Sequence, residues 1–451
     1  MRYQSMGELK KSLEGVVDIN GKVGVVDQEK LRGQAIDRLV FNGVFHENAE
    51  IKQAARDIVR QSAKTLGIRP ASILPLYEAR GRGDCGGFTV PAINIRGLTY
   101  DMARAVFRAA LRNRVGAAIF EIARSEIGYT YQRPAEYAHA VMAAAIKEGF
   151  AGPLFIQGDH FQASAKSFAK NRQGEVQALK ELIKEAIEAE FFNIDIDSST
   201  LVDLSKPTVR AQQQDNCEVA AELTAFLRPL EPKGVSISVG GEIGEVGKKN
   251  STVEELEAFM EGYREELDKR DKRSKGISKI SVQTGTTHGG VPLPDGTIAR
   301  VKLDFDTLGR LSQVAREKYG LAGAVQHGAS TLPEEAFDHF PRRECAEIHL
   351  ATGFQNMLYD DPGFPGEAKK EIYEYLRKEC AAEKQEGETD EQFIYKTRKK
   401  GFGALKEKFW SLPEEFRREI GGKLEERFEF LFKKLNVVNT VSLVREKVPL
   451  D

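Results

Sequence analysis

Three of the seven histidines in this 451-residue chain stand in glycine-containing contexts that end apolar runs: His160 in GDH, His288 in THGG and His327 in QHGAS. Glu242 occupies the same kind of position in GGEIG. Imidazole nitrogens and one carboxylate are suitable ligands for Zn²⁺ or another divalent ion, and such a set leaves a coordination position open for substrate oxygens. Taken singly, each histidine is more often a hydrogen-bonded structural residue than a ligand. Their joint placement is what points to a metal. The neighbouring glycines permit tight turns and let backbone N–H groups approach a ligand closely. Phosphate is a second candidate: Gly328, Ala329, Ser330 and Thr331 follow one late run and Thr352-Gly353 follows the next, where barrels commonly bind phosphate. Gly-rich turns follow many strands, so alone this signal is weak. His46, His139 and His339 fall in helical or loop segments and receive no chemistry.

These residues can meet only if the runs that carry them surround one axis. From Phe88 the chain alternates short apolar runs with helical segments, the runs being FTVPAINI, AAIFEIA, GPLFIQGDH, FFNIDIDSS, VSISVGGEIG, ISKISVQTGTTH, AGAVQHGAS and CAEIHLAT. Strands buried on both faces read as near-continuous apolar runs, and alternation with helices requires parallel crossovers. Eight such units predict an α/β fold, a closed (β/α)₈ TIM barrel over residues 87–362, with an open doubly wound sheet as the rival. Barrel enzymes keep their chemistry at the C-terminal strand ends. Asp159-His160, Glu242, His288 and His327 all fall there.

Residues 1–86 read as an N-terminal helical segment with amphipathic stretches near 27–42 and 48–66, closed by RGRGDCGG. Residues 363–451 read as a charge-dense C-terminal helical extension. Phe416, Ile420, Leu424, Phe428 and Leu431 recur there at helical spacing, which predicts a face packed on the barrel or on a neighbouring subunit rather than one serving a partner protein.

Hydrophobic residues make up 41% and charged residues 30%, with 66 Lys plus Arg against 68 Asp plus Glu, enough to bury a large core beneath a charged surface. A net charge of −2 gives no support to nucleic-acid binding. No uncharged apolar run approaches the ~20 residues of a membrane helix, and MRYQSMGELKKSLEG lacks the apolar core of a secretory signal, so a cytoplasmic protein is expected. Cys85, Cys217, Cys345 and Cys380 show no CxxC spacing, which fits neither a disulfide framework nor a thiolate metal site. A small-molecule partner and a homo-oligomer are expected, with no nucleic acid and no membrane.

Over roughly Phe88 to Asp361 the ordered motifs resemble the class II, metal-dependent fructose-bisphosphate and related ketose-bisphosphate aldolases. PAINIRG resembles that family's opening strand, GDH its Asp-His pair, IDSS its IDGS-like strand and GEIGEVG its ELGxxGG. THGG, with KLDFDTL downstream, resembles its HGV motif, and QHGAST its HGGSG. The resemblance implies Zn²⁺ held by His160, His288 and His327, with Glu242 as a possible fourth ligand. It implies that Asp159 is the acid/base on the C4 oxygen and that Asp197 supports the metal. Gly289, Gly328 and Ser330 would lie near the phosphate, and Asn94 and Ser125 nearer the barrel mouth.

Several departures bear on the substrate. The family's long mobile loop after ELGxxGG, which carries a proton-exchanging acid, is about a dozen residues shorter here, leaving only Glu245 to substitute. His349 stands where the family has a substrate-binding Asn, and the Asp residues flanking Thr352 are gone. The Tyr-Lys that commonly follows the HGV motif is also absent. Cleaving the C3–C4 bond of a ketose leaves carbanion character at C3, which a metal on the C2 carbonyl and C3 hydroxyl can hold as an enediolate while a carboxylate takes the C4 hydroxyl proton. The first expectation is an aldolase of a phosphorylated ketose such as fructose 1,6-bisphosphate. The second is a C4-epimerase of a ketose or ketose phosphate, which cleaves and recondenses and never needs the missing acid. The third is a non-catalytic barrel subunit, against which the retained Asp159 and ligand set speak.

Overall fold

The computed structural model describes residues 1–19, 21, 23–244, 249–285 and 303–450. Eight strands form its centre: β1 Val90–Asn94, β2 Ile119–Ala123, β3 Gly152–Gln162, β4 Asn193–Asp197, β5 Ser238–Glu242, β6 Lys279–Val282, β7 Ala324–Gln326 and β8 Glu347–Leu350. Each pairs in parallel with its successor, and β8 pairs with β1 from Glu347 opposite Val90 to Leu350 opposite Ile93, so the sheet closes into a barrel. Every residue of these strands is buried except His160 and Gln162 of β3, which are half-buried. That two-sided burial is why the strands read as apolar runs.

Helices cover the outside. Thr99–Arg112, Pro134–Glu148, Arg172–Glu188, Gln214–Leu227, Val253–Arg270 and Phe305–Glu317 each follow a strand. Thr252 caps the fifth of these, its hydroxyl accepting from Glu255 N–H while the Glu255 carboxylate accepts from Thr252 N–H. No described helix is long and apolar enough to cross a membrane.

The N-terminal helices Ile36–Phe45 and Ala49–Thr65 pack on Pro134–Glu148. His139 is buried there with Nε2 3.3 Å from the Val40 carbonyl, and burial, with Arg56 nearby, pushes its pKa down to about 3. His46 Nε2 lies 2.9 Å from the Tyr3 carbonyl. Both are structural, as the sequence suggested. Two short features escaped the sequence reading: an antiparallel pair, Val17–Asp18 with Gly24–Val25, and Ile68–Pro70, which pairs in parallel with the start of β3. Strands of two or three residues are too short to carry a period.

In the extension, Glu414–Lys434 lies along Thr99–Arg112, burying Phe416, Ile420, Leu424, Phe428 and Leu431. Phe428 packs on Phe354 of the helix after β8 with ring centroids 4.8 Å apart, and Arg108 Nε donates to Glu425 at 2.6 Å. The predicted apolar face thus packs on this chain's own barrel. A Cβ at Gly97, just after β1, would lie 2.1 Å from the Phe402 ring, so glycine lets the extension reach the barrel mouth.

Candidate metal centre and active-site cavity

A cavity of about 540 Å³ opens at the C-terminal ends of the strands. Its wall includes Asp159 and His160 of β3, and these are consecutive residues. In a regular strand neighbours point to opposite faces, so both can line one cavity only if the strand is irregular. The register between β3 and β4 shifts between Gly158 and Phe161, and His160 has a left-handed φ of +38°. This is a β-bulge, a device that re-aims side chains near sites. Gly158 makes room for it, since a Cβ there would lie 2.4 Å from the Phe161 ring.

The bulge brings His160 to Glu242 at the end of β5 and to His327 just after β7, with ligand atoms of the three within 4.8 Å of one another. His160 Nδ1 is 2.9 Å from Asp197 Oδ2 and 3.3 Å from Glu242 Oε2. His327 Nε2 is 3.1 Å from Ser281 Oγ and 4.0 Å from Glu242 Oε2. Asp197 also accepts from Ser199 N–H and O–H, so it sits behind His160 and fixes the ring. Burial, with Asp197 beside it, pushes Glu242 up to about 8 against the pull of His160. Burial opposes charge on His160, yet Asp159, Glu242 and Asp197 together raise its pKa well above the usual imidazole range. Two imidazoles and a carboxylate, buried at the edge of an open cavity with an outer carboxylate on one ring, fit a divalent ion such as Zn²⁺. His288, Gly289 and Glu245 lie outside the described residues.

His349 of β8 lies next to this group, its ring centroid 4.0 Å from that of His327. Its Nδ1 is 2.9 Å from Glu121 Oε2 and 3.2 Å from Asp159 Oδ1. Gly328, Ser330 and Thr352, which follow β7 and β8, also line the cavity, and Gly353 N–H donates to Ser330 Oγ at 3.1 Å. A Cβ at Gly353 would lie 2.6 Å from the Ser330 carbonyl, so the loops after β7 and β8 touch through a glycine. Asn94 and Ser125 also line the cavity. Asn94 Nδ2 donates to Glu126 Oε2 at 2.6 Å.

The sequence reading missed five charged lining residues: Arg96, Glu121, Arg124, Glu126 and Lys399. Arg96 donates to Glu126, Thr352 and Gln355, and Arg124 pairs with Glu175. Lys399, from the C-terminal extension, lies over the Tyr129 ring at 5.5 Å and makes no ion pair among the described residues. Burial, then Arg96, hold its ammonium below the ordinary lysine range. Glu121 left a trace in the sequence, a carboxylate inside the apolar run AAIFEIA. Lys399 left none, because only folding brings residue 399 to the barrel mouth.

The profile of class II fructose-bisphosphate aldolases matches residues 82–402. The chain belongs to that family. No curated protein sequence matches it. Among solved structures it is similar to a protein from Sinorhizobium meliloti 1021 described as a probable tagatose 6-phosphate kinase, at 16% identity and a TM-score of 0.51, over 80% of this chain and 98% of that one. It is also similar to a fructose-bisphosphate aldolase from Campylobacter jejuni, at 18% identity and a TM-score of 0.48, over 83% and 96%. A third is the YdjI aldolase from Escherichia coli K12, at 15% identity and a TM-score of 0.47, over 81% and 98%. At its identity the first of these likenesses speaks to fold alone.

Proposed function

We propose that this class II aldolase-family chain is a divalent-metal-dependent aldolase that makes and breaks the C3–C4 bond of a phosphorylated ketose such as fructose 1,6-bisphosphate. The observation that carries the reading is the β3 bulge, which turns Asp159 and His160 into one cavity beside Glu242 and His327. His160, Glu242 and His327, with His288 from outside the described residues, would hold Zn²⁺ or a similar ion. Such an ion, when bound, supplies Lewis-acid stabilisation of charge developing at the C2 oxygen.

The chain's own residues do the rest. Asp159 takes the C4 hydroxyl proton as the aldehyde leaves, and returns it in the synthetic direction. Asp197 holds the His160 ring, and Asn94 faces the mouth from β1 while tied to Glu126. Gly328, Ser330 and Thr352, with Gly289 and Ser125, receive the phosphate and the polar face of the sugar. Lys399 offers an ammonium to a second anionic group. Product analysis with a panel of C6 ketoses and their phosphates, with and without chelator, tests this. Triose products lost on chelation are expected. Turnover indifferent to chelator, or none on any ketose phosphate, would overturn the reading.

A second reading, a C4-epimerase, is favoured by one observation: Glu242 ends β5 and a capped helix already begins at Val253, leaving little chain for the family's acid loop. An epimerase recondenses what it cleaves and needs no protonation at C3. It would yield the C4 epimer in the same panel, with slow exchange of the C3 proton of dihydroxyacetone phosphate into deuterated water. Fast exchange would identify Glu245 as a replacement acid and favour the aldolase.

A further inference from the structure

Beneath the cavity floor the barrel interior is polar where apolar side chains ordinarily fill it. Glu121, Gln157, Asp195, Lys279, Glu347 and His349 come from five different strands and all are buried. Lys279 Nζ lies 2.5 Å from Glu347 Oε1 and 2.9 Å from Asp195 Oδ2, and donates to Gln157 Oε1 at 2.8 Å. Glu347 also accepts from Gln157 Nε2 at 2.8 Å and from the Tyr77 hydroxyl. A Cβ at Gly240 would lie 2.3 Å from Asp195 Oδ1 and 3.0 Å from Lys279 Cε, so β5 gives up a side chain to make room for this pair.

Stability does not account for such a cluster. Buried ion pairs lose hydration that their attraction repays poorly, and apolar residues of similar volume commonly serve a core as well or better. The cluster reaches the cavity through His349 and Glu121, which both line it, and Gln157 Nε2 donates to Glu121 Oε2 at 3.1 Å. Glu347 Oε1 lies 2.7 Å from His349 Nε2, and the other nitrogen of that ring faces Asp159 Oδ1 at 3.2 Å. We infer that Glu347, anchored by Lys279, is a positioning residue that sets His349 so that His349 holds the Asp159 carboxylate toward the substrate. The close ion pair between Glu347 and one imidazole nitrogen restrains the ring, and a restrained ring, which Glu121 also faces, restrains the Asp159 carboxylate beside its other nitrogen. This rests on the reading of Asp159 as the acid/base.

The test compares Glu347→Leu with Glu347→Gln, since Lys279 keeps Asp195 as partner in both and the glutamine oxygen can still face His349. On the ketose phosphate best turned over in the panel, Glu347→Leu should lower kcat about tenfold or more while KM and metal content stay within about twofold, because misplacing a reacting group slows the chemical step without weakening binding. Glu347→Gln should bring kcat back to within about threefold of the parent. Crystal structures of the two variants give a readout that needs no substrate: Asp159 loses its contact with His349 in the leucine variant and keeps it in the glutamine variant. A purely structural residue would lower the melting temperature without changing kcat per folded molecule, and leucine would do no worse than glutamine. Normal kcat with Asp159 in place in Glu347→Leu, or equal damage in both variants, overturns the inference. Should Glu347→Leu not fold, Lys279→Met, which removes the charged donor from Glu347 and leaves it Gln157 and Tyr77, is expected to lower kcat in the same direction at constant KM, and an unchanged kcat there counts against it. Asp159→Asn separates the two levels. If that variant turns over normally the acid/base reading fails, whereas if it is inactive and Glu347→Leu is normal only the positioning role fails.

Discussion

At the residue scale the site is governed by how strongly burial and neighbouring charges shift a few groups. In the metal-free protein Glu242 and Glu121 are each pushed up to about 8, burial being the largest cause in both, and His160 is held above the ordinary imidazole range. Metal binding needs Glu242 as carboxylate and His160 neutral, so it must displace protons. Affinity should therefore climb as pH rises toward about 8, as measured by competition with a chromophoric chelator. An affinity flat with pH would exclude Glu242 and His160 as ligands. The same shifts set the metal-free stability. A carboxyl whose folded pKa lies above its unfolded value favours the fold while proton-bound, a contribution complete below the ordinary carboxyl pKa of ~4.3 and lost as pH rises through about 8. Melting of chelator-treated protein should fall across that interval. For Asp159→Asn, turnover should fall by ~10²-fold or more with metal content near that of the parent, as expected for a positioned acid/base rather than a ligand. Loss of the metal together with turnover would reassign Asp159 to the ligand set.

At the scale of elements the third strand decides most. Gly158 lacks a side chain where Phe161 folds back over it, and the bulge this permits is what points Asp159 and His160 the same way. Gly158→Ala introduces a Cβ with no room, so the bulge must open or Phe161 must leave its rotamer. Overpacking of this kind costs about 1–3 kcal/mol. Thermal melting should show that loss, with metal affinity reduced in the same variant because His160 is re-aimed. Gly366→Ala, where nothing lies within 4 Å, serves as the control and should melt near the parent. A Gly158→Ala protein with parental melting and parental metal affinity would mean that the bulge does not set the site.

At the scale of the whole molecule the C-terminal extension does more than cover the barrel. Its helix Glu414–Lys434 buries an apolar face on Thr99–Arg112, Phe402 closes on Gly97, and three residues before Phe402 Lys399 enters the wall of the cavity. Arg96 and Arg124 are already neutralised by Glu126 and Glu175, so Lys399 is the lining cation left for a substrate anion among the described residues. A charge-assisted contact contributes about 1.5–3 kcal/mol, or roughly 10- to 100-fold in affinity. Lys399→Met should raise KM by that order for a ketose bisphosphate and far less for the corresponding monophosphate, read from initial rates on both. Equal KM changes for the two would place the second anion elsewhere.

The eight apolar runs and their alternation with helices were sufficient to read a closed barrel, because two-sided burial and parallel crossovers leave a mark in every unit. The same reading placed Asp159, His160, Glu242 and His327 at strand ends, where they line one cavity, since side chains beside glycines stand out against the runs before them. It also found the buried helix face from Phe416 to Leu431, whose period is local. Tertiary structure alone decided how neighbours on one strand share a cavity, because a bulge depends on Phe161 and β4 rather than on alternation. It alone joined Glu121, Lys279 and Glu347, each an isolated charge in an apolar run, into a cluster under His349. It alone brought Lys399 to a site whose other described residues lie between Asn94 and Thr352. Local sequence carries the period of an element and the types at its ends; the meeting of side chains far apart in the chain is set by barrel closure, and no window of sequence contains both partners.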